Sequence, residues 1–300
     1  MTAFVEGPVR VSVPATSANL GPGFDSLGLA LSLRDDLEAE VVAEGLVIEV
    51  EGAGAGVVPL DEAHLVVRSM RAAFAALGAE PSGLRLSCHN VIPHGRGLGS
   101  SSAAIVGGIS LARALVADAA AVLDDDAVFR LAARIEGHPD NVAPALYGGF
   151  VISGSESGDF FAVRSAVDPR ISAVVLVPPV PVSTEVARGL LPADVPHADA
   201  AADAGRTALL VAALAGQPER LLLGTRDYLH QEYRRPAMPA SVALVDALRA
   251  DGIPALVSGA GPTVLAFVDG AAAAAELLDR CPNGWDALHL QVDTQGARVC

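Results

Sequence analysis

Lysine is absent from this chain: all 20 of its basic residues are arginines. That excludes the common phosphate-binding loop, whose closing Gly-Lys pair reaches the outer phosphates, and the protein-kinase arrangement built on a strand lysine. Positive charge is scarce altogether. Against 35 acidic residues the formal charge is −15, which leaves no basic surface to balance a nucleic-acid backbone or an anionic membrane. An anionic ligand would have to be held by a local device, such as backbone N–H groups, a metal or a few arginines. Cysteine is scarce too, and Cys88, Cys281 and Cys300 have neither metal-site spacing nor an even number for a disulfide framework. Long apolar runs are missing, since each is cut by Pro, Gly or a charge, as in "ISAVVLVPPVPV" from Ile171 to Val182, so no membrane span is expected. The opening "MTAFVEGPVR" lacks the basic start and apolar stretch of a secretory leader. A cytoplasmic protein is expected.

What the chain does have is apolar material and length. At 300 residues and 51% hydrophobic, it can bury a sizeable core and is about twice the usual domain length, so two lobes are expected. Residues 9–52 alternate β-prone runs ("VRVSV", "LEAEVVAE", "LVIEV") with glycine turns and read as neighbouring strands. From Asp61 to Leu77 the apolar residues Val67, Met70, Phe74 and Leu77 recur at helical spacing before Gly78, which predicts a helix. Ser101 to Val116 and "DDAVFRLAARIEG" read as two more, the latter capped by one of Asp124 to Asp126, an acidic triplet that suits a solvated cap better than a metal site. Past the turn-rich "YGGFVISGSESGD" a second series begins: the strand "ISAVVLVP", several helices from Thr184 to Ala250, "PALVSGAGPTVLAFV", and an alanine-rich helix "AAAAAELLDR". Clustered strands and helices without strict alternation favour α+β over a doubly wound sheet. The expected domains are residues 1–160 and 161–300.

Four segments carry candidate chemistry. The first is "PHGRGLGSSSAA", Pro93 to Ala104, at a strand-to-helix junction. Its glycines fall at every second position and so fail the dinucleotide pattern. They still allow close backbone approach to an anion, and the following helix would aim its free N–H groups and positive dipole end at that anion. On the loop alone, a glycine-serine turn without a ligand is the other reading. The second, "PATSANLGPGFDSLGLAL" from Pro14 to Leu31, places Asn19 and Asp25 around a Gly-Pro-Gly turn. The third, "EGHPDNVAP" from Glu136 to Pro144, crowds Glu, His, Asp and Asn together and suggests a site. The fourth is the small-residue turn "SGAGPTVLAF", Ser258 to Phe267.

Together these segments resemble the GHMP kinases, the small-molecule kinases named for galactokinase, homoserine kinase, mevalonate kinase and phosphomevalonate kinase. The glycine-serine loop is similar to their second motif and "SGAGPT" to their third. Across nearly the whole chain the resemblance is closest to the branch that phosphorylates homoserine, to which "HQEYR" at His230 to Arg234 also belongs. It implies a two-lobed α+β fold with a ribosomal-protein-S5-like N-terminal lobe and a ferredoxin-like C-terminal lobe. It implies ATP, with its phosphates wrapped by Pro93, His94, Gly95, Arg96, Gly97, Leu98, Gly99, Ser100, Ser101, Ser102 and Ala103. Mg2+ would be held by Ser101 and Glu136. For L-homoserine the resemblance points to Arg188 and Arg234 at the carboxylate, with Arg235 as the competing register, and to Asn19, Asp25 and His138 at the amino-acid end. Asn141 would orient the hydroxyl, and Asp140 would be either its general base or a positioning group. A homodimer is the assembly the family suggests. One departure concerns Glu136-Gly137, which runs straight into His138 here, whereas several residues intervene in some members of the branch. A GHMP kinase for another small alcohol and an ATP-binding sensor without turnover are the competing readings.

Overall fold

A computed structural model describes residues 3–300. The first half runs β1 (Val9–Ala18), β2 (Leu27–Val42), β3 (Gly45–Gly52), α1 (Leu65–Leu77), β4 (Gly83–Asn90), α2 (Ser100–Leu115), α3 (Asp125–Glu136), α4 (Val142–Tyr147), β5 (Phe150–Glu156) and β6 (Asp159–Ser165). The second half continues with β7 (Ile171–Val177), α5 (Thr184–Gly189), α6 (His197–Gly216), α7 (Leu221–Gly224), α8 (Pro239–Ala250), β8 (Ala255–Val257), β9 (Val264–Asp269), α9 (Ala271–Leu278), β10 (Asp286–Gln291) and β11 (Arg298–Val299). Among the described residues no helix is long and apolar enough to cross a membrane.

Local chemistry sets the helix ends. Gly78 adopts the left-handed conformation that closes α1, and the cap N–H groups return to Ala75 and Phe74 carbonyls. Asp124 is the one member of its acidic triplet that caps α3, its carboxylate accepting the Ala127 N–H at 2.8 Å. Asp125 and Asp126 then occupy the first turn, where negative charge suits the helix dipole.

The strands form two sheets. In the first, the order is β11-β1-β2-β4-β3, with β5 on the early part of β2 and β6 on β5; among the described residues only β3 and β4 run parallel. The central helix α2 packs on β1 and β2 and is flanked by α1, α3 and α4. The second sheet has the order β10-β7-β9-β8, all antiparallel. Counted within that lobe the order is 4-1-3-2, the ferredoxin-like arrangement. All seven residues of β7 are buried. Ala173 and Val175 join the core of the first lobe, whereas Val174 and Leu176 meet α8 residues such as Val242 and Val245. Burial on both faces explains the uninterrupted apolar run that marked this strand in the sequence.

The expected 160/161 break lies close to the join between the two sheets. That cut would fall inside β6, which pairs along its whole length with β5 in the first sheet; the strands part company between Ser165 and Ile171. The C-terminal segment also returns to the first lobe, where Val299 pairs with Val11 and Val292 with Leu31. Arg34 clasps it, donating to the Asp293 carboxylate, to the Ser12 carbonyl at 2.7 Å and to the Gly296 carbonyl at 2.8 Å. Both partners of the ion pair are largely shielded from water, so removing one leaves a buried charge uncompensated. Arg34→Met should lower unfolding stability by about 3 kcal/mol, read from the midpoint of denaturant unfolding. A loss under about 0.5 kcal/mol, the range of ordinary surface changes, would show that the strand pairing alone holds the tail.

Candidate active site

The phosphate-type loop joins β4 to α2, and its backbone is shaped by the protein around it. Gly95, Gly97 and Gly99 have positive φ, at 64°, 75° and 72°. A Cβ on Gly97 would stand 2.2 Å from the Ser258 carbonyl oxygen, and one on Gly99 would stand 1.9 Å from Thr16 Oγ1. The sequence assigned these two glycines to a close approach by an anion. In the structure they permit a close approach of the loop to β1 and to the turn after β8.

Protein donors take each loop carbonyl from His94 to Leu98. Arg96 Nη1 bonds the His94 oxygen at 3.1 Å, Val182 N–H that of Gly95 at 3.1 Å and Thr263 N–H that of Arg96 at 3.3 Å. Ser258 Oγ donates to the Gly97 oxygen at 2.6 Å and Thr16 N–H to that of Leu98 at 3.0 Å. Five successive peptide carbonyls of the loop are therefore each held by a protein donor. At the loop's end, α2 begins with no side-chain cap and no acidic residue in its first turn. Its N-terminal N–H groups and dipole end are thus available to an anion. The Arg96 guanidinium ties the loop to the second lobe at the Pro178 and Pro179 carbonyls.

A cavity of about 200 Å³ opens beside this helix end. Among the expected residues, Gly95, Gly97, Gly99, Ser100, Ser101, Glu136, His138, Asp140, Asn141, Asn19, Arg188 and Arg234 line it. Ser101 Oγ donates to Glu136 Oε1 at 2.6 Å, and Ser102 Oγ lies 3.2 Å from the same oxygen. The direct run from Glu136 to His138 turns at Gly137, with φ of 92°, and both side chains still reach the cavity wall. His138 Nδ1 bonds Asp140 Oδ1 at 2.8 Å. Burial works to lower the basicity of His138, but the hydrogen bond and charge of Asp140, with the charge of Glu136, outweigh it and raise the pKa. Asn141 Oδ1 accepts from Thr16 Oγ1 at 2.8 Å, so the amide presents only donors to the cavity.

On the opposite wall, Arg188 forms a bidentate pair with Asp25, at 3.0 and 2.6 Å. Asp25 thus backs the arginine. Asn19 is likewise engaged, donating to the Gly259 carbonyl at 2.8 Å and accepting the Asp25 N–H at 2.9 Å. Asn19, Leu20 and Asp25 all have positive φ, at 66°, 51° and 53°. Three side-chain-bearing residues in that region within one turn are strained, a feature that clusters at ligand sites. Arg234 is buried and lines the cavity, whereas Arg235 is turned outward to Glu232 at 2.7 Å and Asp246 at 2.8 Å.

A second, mainly apolar cavity of about 270 Å³ adjoins the first, sharing Ser100 and Ser101 with it. Leu37, Val58, Pro59 and Val66 line it together with Asp35, His64, Asn90 and His94. Burial lowers the pKa of both histidines and pushes that of Asp35 up to about 6, although Asp35 accepts the Val91 and Ile92 N–H groups. Sequence reasoning missed this cavity. Its walls come from β2, the loop after β3, α1, β4 and α2, and no local pattern links them. Thr16, Thr184 and Ala260 were also missed.

The chain matches two family models in turn, the "GHMP kinases N terminal domain" over residues 64–149 and "GHMP kinases C terminal" over residues 209–287. The chain belongs to the GHMP kinases. This GHMP kinase is 58% identical to the homoserine kinase of Streptomyces coelicolor over 297 residues, covering 99% of this chain and 96% of that one. Among solved structures, the homoserine kinase from Cytophaga hutchinsonii superposes with a TM-score of 0.85 at 28% identity, over 99% of both chains. A putative homoserine kinase from Listeria monocytogenes gives 0.76 at 35% identity, over 97% of this chain and 99% of that one.

Proposed function

We propose that this GHMP kinase is a homoserine kinase, which transfers the γ-phosphoryl group of ATP to the side-chain hydroxyl of L-homoserine and so makes O-phospho-L-homoserine for threonine biosynthesis. One observation carries the site reading: a single cavity brings the bare end of α2 and the Ser101–Glu136 pair together with Arg188 and Arg234. The anionic and the zwitterionic partner thus meet in one chamber. The adjoining apolar cavity is assigned to the nucleotide base, because it is mainly apolar and shares Ser100 and Ser101 with the phosphate end. The proposed compartment is the cytoplasm and the proposed assembly a homodimer.

Positive charge would come from the helix end, from Arg188 and Arg234, and from a metal when one is bound. The Ser101 hydroxyl and the Glu136 carboxylate form an all-oxygen pair, which suits Mg2+, a hard cation usually held by one or two carboxylates together with substrate phosphates. When bound there it would neutralise charge on the phosphoryl oxygens. Removing the carboxylate in Glu136→Gln should raise the magnesium concentration for half-maximal rate by about 10-fold, the lower end of the effect of disturbing a metal shell. An unchanged magnesium titration at fixed ATP would move the ligand elsewhere.

Asn141, held by Thr16, donates its amide toward the reacting oxygens and orients the substrate hydroxyl. Asp140 is already engaged with His138, and an alcohol attacking a loose phosphoryl group needs little prior deprotonation. Asp140 is therefore assigned to positioning. Asp140→Asn should keep measurable turnover, within roughly 10²-fold of the parent, the lower bound of a general-base contribution. Loss of essentially all activity with unchanged substrate binding would make it the base.

The function is tested by ADP release from Mg-ATP with L-homoserine set against L-serine, L-threonine, mevalonate and galactose. Selective turnover of homoserine, with the phosphate ester on its side-chain oxygen, is expected. Turnover of another alcohol in its place would discard the assignments of Arg188 and Arg234, and silence with every alcohol would favour a sensor.

A further inference from the structure

We infer that His230, outside the cavity wall, is a positioning residue that aims Arg234 at the substrate. This rests on the reading of Arg234 as a carboxylate anchor. His230 is fully buried, and its segment is held by Asp227, whose carboxylate accepts the N–H groups of Leu229, His230 and Gln231. The ring's Nε2 lies 2.8 Å from the Gly21 carbonyl oxygen. A carbonyl can only accept, so Nε2 carries the hydrogen. Nδ1 of the neutral ring is then bare and accepts from Arg234 Nη1 at 3.0 Å.

That assignment is forced from the arginine side as well, because a guanidinium has donors and no acceptor. Burial and then the charge of Arg234 lower the pKa of His230, against Asp227 and Asp25, which favour protonation. Arg234 Nη1 gives its other hydrogen to the Gly259 carbonyl at 3.1 Å, and Nε points at the Ala187 carbonyl at 3.4 Å. Among the described residues no protein group takes Nη2. The anchoring bonds thus turn one edge of the fork into the protein and leave Nη2 for the cavity. Phe24 fixes the plane from the side, its ring 5.3 Å from that of His230 and 5.5 Å from the Arg234 guanidinium carbon. Without the Nδ1 acceptor a buried, charged donor would go unpaired, and turning elsewhere would satisfy it only by losing its aim.

A purely structural histidine would act through its bond to Gly21, and two variants separate the roles. Asparagine can place an acceptor near the Nδ1 position but reaches nothing at Nε2, whereas glutamine reaches the Nε2 position and leaves no acceptor at Nδ1. Steady-state kinetics of H230N and H230Q, with thermal melts of both, make the test. H230Q should raise KM for L-homoserine by about 10-fold, the loss of one hydrogen bond to a charged group. H230N should stay within about 3-fold, and KM for ATP should hold in both. The reverse order, with H230Q tolerated and H230N impaired, would overturn the inference in favour of the Gly21 bond. R234M provides the second axis. If R234M leaves KM for homoserine unchanged, the anchor reading itself is wrong; if R234M raises it while H230Q does not, the inference alone fails. Should both His230 variants melt early, the double variants decide: in the R234M background the change H230Q should add less than about 2-fold to KM, and a full additional effect would make the residue structural.

Discussion

Gly97→Ala should lower kcat/KM by about 10²-fold or more, the penalty of a reacting group displaced by an ångström, although it adds only a methyl group. The new carbon would stand 2.2 Å from the Ser258 oxygen and 2.9 Å from that of Gly261, at a φ of 75°. Both obstacles are backbone, so no side chain can swing aside. The loop would move instead, disturbing the 2.6 Å bond from Ser258 Oγ to the Gly97 carbonyl. That carbonyl would then be free to turn toward the phosphates, where its dipole repels them. The loss should show mainly with ATP, as a raised KM together with a lowered kcat. Gly205→Ala in exposed α6 is the matched control: nothing lies within 4 Å of its Cβ position, and replacing a helical glycine should leave stability equal or slightly improved. Parental kinetics in Gly97→Ala would mean that the loop does not pack on the 258–261 turn.

On the proposed reading, this loop also accounts for a kinase without lysine. A lysine brings one mobile charge to the outer phosphates, whereas here positive potential is fixed in the backbone by orienting it. Apart from Arg96 in the loop itself, the donors that orient it come from three places, β1 through Thr16, the second lobe through Val182, and the turn after β8 through Ser258 and Thr263. The cradle therefore exists only when both lobes are docked. Arg96 fits this scheme as the tie between them.

How much of this was legible depended on whether the signal was local. Helices α1 and α3 were readable because the apolar spacing of α1 with its Gly78 cap and the Asp124 cap of α3 are local, and α2 because its Ala-, Ile- and Leu-rich run is. The four motif segments were readable for the same reason, and their residues do meet at one cavity. The β5–β6 hairpin was not. Its turn residues, Ser157 and Gly158, sit in a stretch so rich in glycine and serine that the alternation of Phe160 and Ala162 with Phe161 and Val163 did not stand out. The return of β11 to β1 had no signal at all, since a two-residue strand carries no periodicity and its partner lies nearly 300 residues away. Side-chain roles were the least legible: only coordinates show that Asn19 and Asp25 are engaged by protein atoms, and that Arg234 points inward and Arg235 outward.

Arg188→Met should be the most damaging single change on the substrate side, lowering kcat/KM for L-homoserine by about 10²-fold, toward the lower end for truncating one partner of a hydrogen-bonded charge pair because Arg188 and Asp25 are only partly buried. Two effects act together. The proposed carboxylate anchor is lost, and Asp25 is left without the partner that now takes both its oxygens. Methionine keeps most of the apolar stem beside Phe24, whose ring lies 5.5 Å from the guanidinium carbon, so the loss reports charge more than packing. Arg188→Lys should recover little of it, because an ammonium cannot form the two parallel bonds of the fork. The split between substrates decides what the arginine does. A raised KM for homoserine with KM for ATP nearly constant assigns it to the amino-acid carboxylate. A lowered kcat with both KM values unchanged would assign it instead to the phosphoryl group in flight, where an arginine can stabilise the transition state, and Arg234, aimed by His230, would then hold the carboxylate alone.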